Sequence, residues 1–84
     1  NLAAERDLVI TVDLARLADY GIGVPELAAR AGAGRDVSAG TRDIGRRQYT
    51  LRLAARYDPD ELAGRVLAWR EGRPVRLGDV ATIA

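Results

Sequence analysis

The sequence has no histidine, cysteine, methionine, lysine or phenylalanine, and its single serine is Ser38. Without histidine the usual general base at neutral pH is missing. Without cysteine or lysine, two readily activated nucleophiles are missing as well. The lack of cysteine also rules out disulfides and thiolate metal sites. With histidine and methionine absent too, these residues offer no soft metal ligand. No apolar run approaches the roughly 20 residues of a membrane-spanning helix, and no secretory leader pattern opens the chain. A formal net charge of +1 provides no field to steer nucleic acid or an anionic membrane. A chain of 84 residues is one small domain or a piece of a larger protein. At that size only roughly 60% of the unfolded surface is buried, so its core is marginal.

What is present is arginine, alanine, glycine and aspartate. All 13 basic residues are arginine, as a GC-rich genome would produce, and they are spread along the chain rather than gathered into a phosphate site. The carboxylates Asp58, Asp60 and Glu61 stand close together. Their spacing is that of an N-cap and a first helical turn, which outweighs a metal or acid–base reading. Arg46 and Arg47 with Tyr49 make a fragment of a basic, aromatic face, but the balanced charge elsewhere argues against nucleic acid as a partner. Gly32, Ala33 and Gly34 before Arg35 follow a helix instead of opening one, so they are no phosphate loop.

The chain divides into short elements. Asn1–Arg6 reads as an irregular start, and Asp7–Val12 as a β-branched strand. Asp13 caps a short helix carrying Leu14, Leu17 and Ala18, which Gly21 stops. A second helix starts at Gly23, with Pro25 and Glu26 in its first turn, and presents Leu27, Ala28 and Ala31 before Gly32. Residues 32–47 hold four glycines and only Val37 and Ile44 as large apolar residues, which favours a disordered loop over a protruding hairpin folded against a partner. Gln48–Leu53 alternates as a strand, with Tyr49, Leu51 and Leu53 on one side. Asp58, Pro59 and Glu61 open a third helix in the manner of a capping box. Val66–Trp69 and Arg73–Leu77 form a hairpin about Glu71-Gly72; a turn at Gly78–Val80 and a short strand at Ala81–Ile83 follow. Trp69 is expected in the core, and Tyr20 and Tyr57 as half-buried anchors. The fold class is α+β: a small β-α-α-(arm)-β-α-β-β two-layer sandwich, a single domain over residues 1–84, with helices on one sheet face.

Six pieces, in order, resemble a stretch of the RND-type efflux transporters: Asp13–Gly21 (DLARLADYG), Val24–Ala31, Ser38-Ala39-Gly40, Tyr49–Leu53, Asp58–Leu62 and Gly72–Ile83 (GRPVRLGDVATI). Together they cover the chain from Leu8 to Ile83. In that family the similar stretch is the N-terminal docking subdomain of the periplasmic region. The resemblance implies a periplasmic portion of a bacterial inner-membrane protein, with a non-catalytic role in a proton-driven pump. The implied partners are the neighbouring protomers of a homotrimer, an outer-membrane channel and a periplasmic adaptor; no cofactor or metal is implied. It also implies that residues 32–47 are an inter-subunit arm, with Val37, Ser38, Ala39, Gly40 and Ile44 as its contacts, through which an isolated fragment could self-associate. One departure is plain: the family often has Asn or Gln near the start of the arm, where this chain has Gly32 to Gly34 and Arg35.

Two other readings compete with the assembly module. One is a stand-alone small α+β ligand-binding or regulatory domain. The other is a hydrolase built on Asp58 and Asp60, for which the missing bases and nucleophiles leave little chemistry. The structural reading of Asp58 as a helix cap makes a direct prediction. Asp58→Ala should lower stability by about 1 kcal/mol in chemical denaturation, without any change of function beyond that loss.

Overall fold

The fold is organised about β1 (Leu8–Asp13), in which Leu8, Ile10 and Val12 point one way and are buried. In the computed structural model, which describes residues 7–32, 40–53 and 57–84, this strand has neighbours on both sides. β3 (Gln48–Leu53) and β6 (Ala81–Ile83) pair with it antiparallel, and β2 (Thr41–Asp43) extends the sheet beyond β3 to give the order β2-β3-β1-β6. The register sets Ile10 opposite Leu51 and Ile83, and Leu8 opposite Leu53. Because side chains alternate along a strand, this register gathers Leu8, Ile10, Val12, Leu51, Leu53 and Ile83 onto one face, while Val9 lies on the other, opposite Arg52.

Four short helices and a hairpin cover that face. α1 (Leu14–Asp19) contributes Leu17, and α2 (Val24–Gly32) contributes Leu27 and Ala31. α3 (Pro59–Ala63) adds Leu62, and α4 (Leu77–Val80) adds Leu77 and Val80. The hairpin of β4 (Val66–Arg70) and β5 (Arg73–Arg76) adds Leu67, Ala68 and Val75. Among the described residues no polar or charged side chain is buried. Burying each large aliphatic side chain is worth about 1.5–3 kcal/mol, so this one cluster supplies most of the driving force. The mixed α+β class is as the sequence indicates. None of these helices is long and apolar enough to cross a membrane.

The opposite face of the sheet has a different chemistry. Thr41, Thr50, Thr11 and Thr82 stand in register, one on each strand, in a row across the sheet. Asp43, Gln48 and Asp13 form the next row on the same face.

Several local expectations are corrected. Gly32 closes α2 as read, but the second half of the 32–47 segment is a hairpin rather than the favoured loop, since Thr41–Asp43 form β2 and pair with β3. A three-residue strand with every side chain exposed has no alternating apolar pattern, and backbone pairing to β3 alone defines it. Trp69 is not in the core: it is 63% exposed. An irregularity in the β4–β5 register between Val66 and Ala68 lets both Leu67 and Ala68 face inward, which turns the next residue, Trp69, outward. Tyr20 and Tyr57 are partly buried as expected, Tyr20 at 37% exposure and Tyr57 packed against the core. The turn expected at Gly78–Val80 is a single helical turn, α4, which takes Leu77 from the end of the return strand. The β4–β5 hairpin also stands as its own two-stranded sheet. At its tip Glu71 and Gly72 both have positive φ, 52° and 78°, as a type I′ turn requires.

The two caps read from the sequence are in place. The Asp13 carboxylate accepts from the amides of Ala15 and Arg16 at 3.0 and 3.2 Å. That of Asp58 accepts from the Asp60 amide at 3.0 Å, one residue short of the capping-box position. A carboxylate reaches back at α4 instead, where Asp79 accepts from the Arg76 amide at 2.8 Å. Arginine carries no acceptor, so only this half of a capping box forms there.

Three arginines of the 65–76 segment each reach the carbonyl end of a helix. Arg65 donates to the Ala31 carbonyl at 2.7 Å at the end of α2. Arg70 donates to that of Tyr20 at 2.7 Å after α1, and Arg76 to that of Gly64 at 2.8 Å after α3. Each satisfies an orphan carbonyl and places positive charge at the negative end of the helix. Arg65 also lies over the Tyr57 ring, 5.8 Å from its centroid. Arg65→Met, which keeps the apolar stem but removes the donors, should therefore cost about 1 kcal/mol in urea denaturation. The neighbouring exposed Arg73→Met should stay within about 0.5 kcal/mol of the parent.

Candidate interaction site

The tip of the β2–β3 hairpin is built by local hydrogen bonds. Asp43 accepts from the Arg46 amide at 3.1 Å, and the Arg47 amide donates to the Ile44 carbonyl at 3.3 Å. The chain then turns through Arg47 at φ 53°, in the left-handed region, so that the Arg47 carbonyl accepts from the Leu14 amide at 3.0 Å. That bond fastens the hairpin to the start of α1. It also places the tip beside a shallow groove lined by Leu14, Ala15 and Ala18 from the helix and by Arg42, Ile44 and Arg47 from the hairpin.

Ile44 is 82% exposed there, the most exposed large apolar side chain among the described residues. The Arg42 guanidinium lies 6.0 Å from the centroid of the Tyr49 ring. Gly40 packs so closely on that ring that any Cβ would overlap it, which accounts for glycine at this position. Asp43 and Arg46 approach to 3.9 Å as an exposed pair, an interaction of little energetic weight.

Of the arm contacts expected from the sequence, the structure places Gly40 beneath Tyr49 and Ile44 at the hairpin tip; Val37, Ser38 and Ala39 lie outside the described residues. Asp13 and Asp58 serve as caps and do not converge with the groove. Sequence reasoning did not single out Arg42, and it weighed Arg47 only with Arg46 and Tyr49 as a basic, aromatic fragment. Neither was read as sharing a surface with Ile44, because a loop reading of this segment gave no register to join them. A second exposed feature lies on the other hairpin, where Trp69 is paired across the strands with Pro74. Among the described residues no three His, Cys, Asp or Glu side chains come together.

Comparison with known proteins gives one informative match. The chain is 38% identical over 81 residues to the nickel-cobalt-cadmium resistance protein NccA of Alcaligenes xylosoxydans xylosoxydans. The alignment takes in 93% of this chain but only 7% of the relative, so the chain is similar to one small segment of a much longer protein. No family model matches the sequence, and no solved structure matches it.

The exposure of Ile44 and Trp69 makes a further prediction. Ile44→Ser and Trp69→Ser should each change folding stability by no more than about 0.5 kcal/mol, since neither removes a core contact. Thermal or urea denaturation of the two variants checks this, and a large loss in either would make that side chain part of the fold.

Proposed function

We propose that this chain is a structural and assembly module of a proton-driven efflux pump of the RND type, located in the periplasmic part of a bacterial inner-membrane protein. The observation that carries this reading is the collinear 38% identity to a segment of a metal resistance protein across nearly the whole chain. The structure adds two supports. The motif residues behind the resemblance hold the fold together: Val75, Leu77 and Val80 are buried, Arg76 caps α3, and Asp79 caps α4. The side chains left exposed and apolar, Ile44 and Trp69, suit contact with other proteins.

In this reading the module has no catalytic role. It supports a homotrimer through the hairpin tip and docks to an outer-membrane channel and a periplasmic adaptor. The pump's cargo is metal ions of the kind named for the relative, nickel, cobalt or cadmium. A segment without histidine, cysteine or methionine is poorly equipped to handle them, so cargo binding and proton coupling belong to other parts of the pump.

The test is resistance conferred by the full-length gene in a metal-sensitive bacterial host. The unaltered protein should restore growth on at least one of the three metals. Ile44→Asp combined with Trp69→Asp should abolish most of that growth at unchanged protein level, with loss of cross-linkable trimer. A reading frame ending close to Ala84, or full resistance in the doubly substituted protein, would contradict the proposal.

A further inference from the structure

We draw no further inference here: the strongest candidate, the exposed Trp69 and its cross-strand neighbour Pro74 on the β4–β5 hairpin with the cleft beside them between Tyr20 and Arg73, is an open surface patch, and nothing in the structure shows what covers it.

Discussion

The structure depends on β1 being held between two strands that come from distant parts of the chain. Its pairing with β3 and β6 brings residues near 10, 50 and 82 together, and only then do Ile10, Val12, Leu51 and Leu53 share a dry face. No disulfide stands behind that arrangement, because the sequence has no cysteine. Burial of aliphatic side chains on one face of a four-stranded sheet carries the fold, and four short helices exist because that face must be covered.

That economy shapes everything on the surface. Helices of four to nine residues cannot sustain themselves, so their ends are tied by side chains: aspartates at the starts of α1 and α3, arginines at the ends of α1, α2 and α3. Arginine composition that looks like genome bias therefore includes three side chains with defined structural work. The remaining arginines at the β2–β3 hairpin have no such duty toward a helix end, and they sit where the most exposed isoleucine is found. A polar threonine row occupies the uncovered sheet face, so exposed apolar contact area is concentrated at the two hairpins rather than on the sheet.

Much of this was legible in the sequence, for identifiable reasons. The alternation of Tyr49, Leu51 and Leu53 fixed both the strand and its inward face. Asp13 and Asp58 stood at cap positions, and Glu71-Gly72 marked a tight turn. What the sequence hid was order arising from backbone pairing or register. β2 has no apolar side chain to announce it, and α4 is a single turn. The shift in register between Val66 and Ala68, invisible in composition, moved Trp69 from the core to the surface. The groove was hidden for a related reason: its two halves lie on α1 and on a hairpin tip, and the bond between the Arg47 carbonyl and the Leu14 amide is what joins them.

The central claim is that this domain folds on its own core and uses its hairpin tip for contact within a larger assembly. The most direct measurement is amide hydrogen exchange, made on the 84-residue chain and on the intact full-length protein. The account predicts equal protection for β1 and β3 in both samples, and slower exchange for residues 44–47 in the intact protein alone. Equal exchange of residues 44–47 in the two samples, with β1 and β3 protected in both, would contradict it.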